Sequence, residues 1–148
     1  MVFGFRKMKA VLVFGGTGFL GSNFVKYLLA QNLNVIVYKH KNLRCLSNVI
    51  NDNLVIIDSF DEKLSSAYQV ETIFHLASKQ TSGNHTYNEF YKGNVELTKR
   101  IIDFGKKLST KQFVYVSTTT VFSQDDNSFF LSESICPNPK NYYGLTKY

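Results

Sequence analysis

Several features that would settle the class of a protein at once are scarce in this sequence. It has only two cysteines in 148 residues, Cys45 and Cys136, which lie far apart and outside any Cys-x-x-Cys spacing. This usage is typical of reduced thiols, so we expect a cytoplasmic protein. No apolar run approaches the length of about 18 residues that a membrane span needs. The basic residues near the N terminus precede an apolar run of only five residues, which is not the pattern of a secretory signal.

Clusters of metal-ligating or basic residues are also missing. His40 and His85 have no spacing typical of metal ligands, and His75 lies in an apolar run, where a histidine is more often packed than catalytic. The formal net charge is +6, but the basic residues are scattered singly rather than gathered on one helix or stripe. We therefore expect no metal, membrane or nucleic acid as a partner, and a nucleic-acid-binding module stays a minor alternative.

What the chain does contain is a glycine-rich loop directly after the apolar run Ala10–Phe14. The loop reads Gly15-Gly16-Thr17-Gly18-Phe19-Leu20-Gly21. Its spaced glycines allow a tight turn, close approach of the backbone to a pyrophosphate and close packing of the next helix. Free N–H groups and the dipole at the helix N terminus then favour the negative charge. The pattern predicts dinucleotide binding; the alternative is a simple glycine-rich turn.

The residues after this loop have helical spacing. Ser22, Asn23 and Lys26 are predicted to point outward. The repeating face consists of Leu20, Phe24, Tyr27, Leu28 and Gln31.

Strand-like apolar runs alternate with helices or long connections, which is the pattern of a parallel sheet wound with helices. The length allows one core and one domain. The connection Lys41–Asn53 is a poor helix, Asp61–Val70 allows only a short one, and Ser123–Ser134 is a polar loop. The predicted strands are Lys9–Phe14, Asn34–Tyr38, Leu54–Ile57, Thr72–Ala77 and Phe113–Val116. The clearest helix has one apolar face at Phe90, Asn94, Leu97, Ile101, Phe104 and Leu108.

Three polar features are candidates for chemistry. Tyr143 and Lys147 are spaced to lie on one face of a helix, where an ammonium favours the phenolate form of a neighbouring phenol. About one such pair is expected by chance, so its position after the fifth strand carries the argument. Asn94 is an amide on an apolar face, so it either is satisfied by the core or orders a site, and both can hold together. The hydroxyl run Ser117-Thr118-Thr119-Thr120 follows the fifth strand at the end where ligands bind in parallel sheets, although a simple turn is equally compatible.

Taken together, these motifs resemble the extended short-chain dehydrogenase/reductase family, the NAD(P)-dependent epimerases, dehydratases and reductases of nucleotide sugars and related alcohols. The resemblance covers Lys9–Tyr148. Besides the glycine loop, Asn94–Thr98 is similar to the family's Asn-Val-x-Gly-Thr, with Leu97 in place of glycine. Phe113–Thr118 followed by Val121-Phe122 is similar to its fifth strand, and Glu133 with Pro137–Lys147 is similar to the approach to its catalytic helix.

The resemblance implies a Rossmann-type doubly wound parallel sheet and a role for each matching residue. Tyr143 would be the acid/base, Lys147 would bind the nicotinamide ribose, Thr118 would hydrogen-bond the reacting oxygen and Asn94 would support the site. Asp58 would bind the adenine amine. The implied cofactor-binding residues are Gly15, Thr17, Gly18, Phe19, Leu20, Gly21, Lys39, His40, Asp58, Leu76, Ala77 and Lys147.

One departure from the family pattern concerns cofactor choice. The acidic residue expected near the end of the second strand, where it would bind the adenosine ribose, is replaced by Lys39, followed by His40, Lys41 and Arg44. Cations there suit a 2′-phosphate, so we expect NADP to be favoured over NAD.

The second departure concerns extent. We expect residues 1–148 to be an incomplete NAD(P)-binding domain, without the C-terminal substrate-binding part, that is inactive alone. The parent enzyme would act on a nucleotide sugar and form a possible homodimer. The alternative is a non-catalytic dinucleotide-binding or sensor domain.

Overall fold

A computed structural model describes residues 7–122 and 131–148, so most of the predicted polar loop Ser123–Ser134 lies outside the described residues. The described residues form two compact units. The first, called here the sheet unit, extends to Ala77 and adds Arg100–Tyr115. The second, called the Tyr143 unit, comprises Ser78–Lys99 and the described part of Val116–Tyr148.

The sheet unit contains a five-stranded sheet in the order β3-β2-β1-β4-β5, and all four strand pairs are parallel. On the central strand, Leu12 lies opposite Ile36 of β2 and Ile73 of β4. This order is typical of the Rossmann-type fold that the sequence predicts. The strands are β1 (Met8–Phe14), β2 (Asn34–Tyr38), β3 (Leu54–Ile57), β4 (Tyr68–His75) and β5 (Gln112–Tyr115).

All five predicted strands are confirmed, and two of them have the predicted bounds. β4 begins at Tyr68 rather than Thr72, because Tyr68–Val70 pairs with Met8–Ala10 of β1. The preceding helix is therefore shorter than the predicted connection. The predicted poor helix Lys41–Asn53 contains a single 3₁₀ turn.

The helical segments connect these strands in the expected alternation. A π-helical stretch, Tyr91–Glu96, joins two α-helices in the long connection between β4 and β5. The α-helices are α1 (Phe19–Ala30), α2 (Leu64–Ala67), α3 (Tyr87–Phe90), α4 (Leu97–Lys107) and α5 (Tyr142–Lys147). The 3₁₀ turns are Arg44–Leu46 and Thr119–Val121.

Side chains pack against both faces of the sheet. Since neighbouring strand residues point to opposite faces, Val13 and Phe14 belong to different clusters. Val13 belongs to the cluster that contains α1 residues, whereas the Phe14 ring lies 5.6 Å from Phe60, whose ring lies 5.2 Å from Phe104 of α4. Helices therefore cover both faces, which confirms the doubly wound arrangement. The first cluster consists of Val13, Val25, Leu28, Leu29, Val35, Val37 and Leu46.

The helix α1 is present, and its predicted inner face is confirmed only in part: Leu28 is buried and Phe24 packs against the core, but other positions are wrong. Leu20 and Tyr27 are 62% and 61% exposed, whereas Ser22, predicted to point outward, is 2% exposed. The helix lies so close to the end of β1 that its small residues face inward. The buried residues are Gly21, Ser22, Val25, Leu28 and Leu29.

The predicted face of the long connection is confirmed for five of its six positions, since Leu97 is only half-buried. The buried positions are Phe90, Asn94, Ile101, Phe104 and Leu108. In the described ranges, no helix combines the length and apolarity needed to cross a bilayer. Cys45 and Cys136 are exposed free thiols.

Candidate functional site

The glycine loop between β1 and α1 owes three of its four glycines to the fold itself, since a Cβ at Gly16 would lie 2.9 Å from the buried Val37 side chain. Gly15 has a φ of +87°, and a Cβ built there would lie 2.6 Å from the Ala77 backbone nitrogen. A Cβ at Gly21 would overlap the Gly15 carbonyl oxygen. Gly15 therefore allows the tight turn and Gly21 allows close approach of α1, as the sequence predicts.

Gly18 is different, because none of the residues that the structure describes requires a glycine there. Its backbone is extended, with φ −80° and ψ 177°, and a Cβ would make only an ordinary contact, 3.4 Å from the Gly15 carbonyl oxygen. The space beside Gly18 faces outward at the N terminus of α1, next to Phe19, which is 84% exposed. A dinucleotide pyrophosphate fits this position, because it needs a backbone without a side chain in its way.

The N terminus of α1 is also free to bind an anion. Gly18 is the N-cap, no side chain caps the helix, and its first turn contains no acidic residue. The first N–H groups of an α-helix have no partner within the helix and carry partial positive charge. This end of the 12-residue helix therefore offers N–H donors to a phosphate.

The loop after β4 adjoins the glycine loop. The Leu76 backbone N–H donates to the Phe14 carbonyl oxygen at 2.9 Å, and the Ala77 nitrogen lies where a Gly15 side chain would be. The structure thus brings together the predicted cofactor residues after β1 and β4. Thr17, which belongs to the glycine loop, is half-buried.

Lys39 and Asp58 lie at neighbouring strand ends. The Lys39 N–H donates to the Ile57 carbonyl oxygen at 2.7 Å, and Asp58 follows Ile57 directly. Asp58 also lines a shallow cavity of about 230 Å³ beside β3. Among the residues that the structure describes, no ion pair involves Lys39 or the exposed His40.

In the Tyr143 unit, the short helix α5 carries Tyr143 and Lys147. The Asn141 side chain caps it by accepting from the Gly144 N–H at 2.7 Å. Tyr143 is half-buried, with its ring 6.1 Å from that of Phe90. Lys147 is only 3% exposed, and this burial lowers the pKa of its ammonium to about 8.

Asn94 connects α5 to the segment after β4. Its Oδ1 accepts from the Lys79 N–H at 2.7 Å, and its Nδ2 donates to the Thr146 Oγ1 at 2.9 Å. The Thr146 hydroxyl lies 2.9 Å from the carbonyl oxygen of Tyr142 and can donate to it. The amide is therefore satisfied in the interior, as one of the two interpretations predicts. It also binds the helix that carries Tyr143, and the second interpretation, that Asn94 orders a site, stays a prediction.

Thr118 begins the 3₁₀ turn that packs against α5. Its Oγ1 accepts from the Thr120 N–H at 3.3 Å. A Cβ at Gly144 would overlap the Thr120 carbonyl oxygen, so Gly144 is required for the close approach of α5 to this turn. The structure therefore places Thr118, Asn94, Tyr143 and Lys147 in one unit.

Three residues that hold this unit together had no individual role predicted from the sequence: Ser117, Gly144 and Thr146. The Ser117 hydroxyl donates to the Lys147 carbonyl oxygen at 2.9 Å. Thr146 follows Tyr143 by three residues on α5, and this helical spacing could have identified it from the sequence. The partners of Ser117 and Gly144 are distant in sequence and carry no local signal.

A cavity of about 480 Å³ lies within the Tyr143 unit, and Tyr143 forms part of its wall. Its walls combine aromatic rings with hydroxyl and amide groups, and none of the described residues that line it carries a carboxylate. The lining residues are Thr81, Gly83, Asn84, His85, Thr86, Phe90, Asn141, Tyr142 and Tyr143.

Comparison with known proteins identifies a family. The NAD dependent epimerase/dehydratase family matches residues 11–148. A UDP-glucose 4-epimerase of Halalkalibacterium halodurans is 28% identical over 144 residues, which cover 93% of this chain and 43% of that protein. A dTDP-D-glucose 4,6-dehydratase of Dictyostelium discoideum is 26% identical over 166 residues, covering 95% of this chain and 38% of that protein.

A solved structure gives the same result. A mutant of UDP-glucuronic acid 4-epimerase from Bacillus cereus, in complex with NAD and a fluorinated UDP-sugar, is 26% identical and superposes with a TM-score of 0.73. The match covers 95% of this chain and 49% of that one. The chain thus spans about half the length of the relatives it matches, or less.

Proposed function

Because this chain belongs to the NAD dependent epimerase/dehydratase family, we propose that its glycine loop binds a nicotinamide dinucleotide. The observation that carries the proposal is Gly18. The fold explains Gly15 and Gly21, whereas a Cβ at Gly18 would be tolerated by the described residues, so the missing side chain leaves space for a ligand at the N terminus of α1.

We further propose that the preferred dinucleotide is NADP(H). Lys39 stands at the end of β2, beside Asp58 at the end of β3, and His40 and Lys41 follow it. A 2′-phosphate placed there would meet cations, whereas a free ribose diol would lack the carboxylate that usually accepts its hydroxyls. NAD, which the Bacillus cereus structure contains, is the competing cofactor.

For the reaction, we propose proton exchange between Tyr143 and a substrate hydroxyl. The bound nicotinamide supplies hydride acceptance and donation. The Lys147 ammonium, one helical turn from Tyr143, favours the phenolate and can donate to ribose hydroxyls. Thr118 would hydrogen-bond the reacting oxygen, and Asn94 would keep α5 in place through Thr146.

The proposed substrate class is a nucleotide sugar, with its hexose in the cavity beside Tyr143. That cavity combines aromatic rings with hydroxyl and amide groups, which suit the apolar faces and hydroxyls of a sugar ring. The names of relatives of this chain refer to UDP-sugars or to a dTDP-sugar. The outcome of the reaction would be epimerisation, dehydration or reduction.

NMR titration tests the proposal directly. Addition of NADPH to the ¹⁵N-labelled chain should shift the backbone amides of Gly15–Gly21, Leu76 and Ala77 in a saturable manner. Glucose 6-phosphate, which carries a phosphate without the dinucleotide, should leave them unchanged. Shifts that are equal for both compounds, or confined to residues outside the loop, would refute dinucleotide binding.

A further inference from the structure

The carboxylate of Glu89 contacts the segment that lines the cavity beside Tyr143. Its Oε2 accepts from the Thr86 N–H at 2.9 Å and from the Thr86 hydroxyl at 3.0 Å. Its Oε1 lies 3.5 Å from His85 Nδ1 and 3.8 Å from Lys79 Nζ. Glu89 itself is not among the lining residues, so it acts on the cavity only through these neighbours.

The contact with Thr86 also begins α3. The Thr86 hydroxyl accepts from the Glu89 N–H, so the two residues form a reciprocal capping box. The hydrogen bonds from the Thr86 backbone and hydroxyl, followed by the charges of Lys79 and His85, hold the pKa of the Glu89 carboxyl below its ordinary value. The carboxylate is therefore in its charged, hydrogen-bonding form throughout the neutral range.

His85 is held from both sides of its ring. Its Nε2 lies 2.8 Å from the Ser82 carbonyl oxygen, which can only accept, so Nε2 carries a hydrogen. Its Nδ1 faces Glu89, and its ring packs edge-on against Phe90 at 5.7 Å. Between Ser82 and His85 the chain turns through Gly83, whose φ is +97°. The Glu89 carboxylate therefore contacts His85 and Thr86 directly, and His85 in turn contacts Ser82 within the segment Thr81–Thr86.

The same carboxylate is linked to the helix that carries Tyr143. Lys79, whose ammonium faces Glu89, donates its backbone N–H to Asn94, and Asn94 donates to Thr146 on α5. Glu89 thus contacts two parts of one polar network. One part shapes the wall Thr81–Thr86, and the other fixes α5.

We infer that Glu89 is a positioning residue that sets the affinity of this cavity for the sugar of its substrate by fixing the wall Thr81–Thr86. The inference rests on the proposed function for its ligand. It predicts that changes at Glu89 affect sugar binding in the Tyr143 unit and leave dinucleotide binding at the glycine loop unchanged.

The test measures the dissociation constants of UDP-glucose, UDP and NADPH for the unmodified chain and for variants. Glu89→Ala, which removes the hydrogen-bond acceptor of Thr86 and the contacts with Lys79 and His85, should weaken UDP-glucose binding about tenfold. Glu89→Gln keeps an oxygen for Thr86 and should have a smaller effect. UDP and NADPH affinities should stay within about twofold. Glu96→Ala, at an exposed carboxylate in the same connection, is the matched control and should change nothing.

Amide hydrogen exchange separates this inference from the proposed function. Exchange in Glu89→Ala should accelerate at Thr81–Thr86 and stay unchanged in β1 and β4. If the unmodified chain binds NADPH but no UDP-glucose, the proposed substrate class fails, and the exchange result alone decides the role of Glu89. Unchanged exchange at Thr81–Thr86, or equal loss of UDP-glucose, UDP and NADPH binding, would overturn the inference.

Discussion

Replacement of Asn94 by alanine should destabilise the protein strongly, because this buried amide is satisfied on both sides. Asn94 is 1% exposed, and its side chain connects the Lys79 N–H with the Thr146 hydroxyl. The variant leaves the Lys79 N–H without its acceptor and opens a small cavity. A buried polar group without a partner costs about 1–3 kcal/mol, and the second hydrogen bond adds about 1 kcal/mol. We therefore expect a loss of about 2–4 kcal/mol in the free energy of unfolding.

Asn94→Asp tests the direction of these hydrogen bonds. The Thr146 hydroxyl has one hydrogen, and it faces the carbonyl oxygens of Tyr142 and Tyr143 at 2.9 and 3.1 Å. A carboxylate at position 94 would compete for that hydrogen and would be buried with its charge. Burial raises the pKa of a carboxyl group above its unfolded value, so this variant should lose stability as pH rises above about 4 and regain it on acidification.

Urea unfolding followed by circular dichroism at pH 5 and pH 7.5 measures both effects. Asn23→Ala, at an exposed amide of α1, is the control and should change the free energy of unfolding by less than about 0.5 kcal/mol. An Asn94→Ala variant as stable as this control would refute the account of the amide. So would an Asn94→Asp variant whose loss is the same at both pH values.

Three further predictions concern the loop, the cofactor and the buried lysine. Gly21→Ala should destabilise the chain by about 1–3 kcal/mol, because its methyl group would overlap the Gly15 carbonyl oxygen, whereas Gly18→Ala should change stability by less than about 0.5 kcal/mol. Thermal unfolding compares the two variants, and equal losses of stability would contradict the prediction. Lys39→Asp should narrow or reverse a preference for NADPH over NADH in fluorescence titrations, whereas Lys26→Asp, at an exposed position of α1, should leave the preference unchanged. Tighter binding of NADH than of NADPH by the unmodified chain would contradict the prediction. Burial lowers the pKa of Lys147 to about 8, so the unfolded state binds more protons than the folded state above that pH. The free energy of unfolding, measured relative to that of Lys147→Met, should therefore rise between about pH 8 and 10. A difference between the two proteins that does not change with pH would contradict this prediction.

The strands could be predicted because each is a compact apolar run bounded by polar residues. β2 and β3 have the predicted bounds, although the three central residues of β2 are buried whereas β3 is only partly buried. The start of β4 could not be predicted, because Tyr68–Val70 is a strand only through its pairing with β1. Local composition carries no information on that partner.

The inner face of α1 shows a different limit of sequence analysis. Leu20 and Tyr27 fit an apolar repeat, but the helix turns its small residues Gly21 and Ser22 toward the sheet. Hydrophobic periodicity weights large side chains, whereas close packing against a strand is decided by the smallest ones.

The candidate site was predictable in part for a similar reason. Asn94 was identifiable as an amide on an apolar face, and the structure places it on that face. Its partners were not identifiable, because Lys79 and Thr146 are 15 and 52 residues away in sequence. Glu89 gave no signal beyond its place in a capping box, since its role depends on how the segment after β4 folds back.

The central claim is that the glycine loop binds a dinucleotide through the space beside Gly18, and Gly18→Val tests it most directly. A branched side chain there would obstruct the approach of a pyrophosphate, whereas its Cβ would make only an ordinary contact within the protein, 3.4 Å from the Gly15 carbonyl oxygen. Ala30→Val, at the exposed opposite end of α1, adds the same side chain away from the loop. We predict that both variants keep the circular dichroism spectrum of the unmodified chain and that only Gly18→Val loses NADPH binding, by at least about tenfold in fluorescence titration. A folded Gly18→Val variant with unchanged NADPH affinity would contradict the account and leave the loop as a turn.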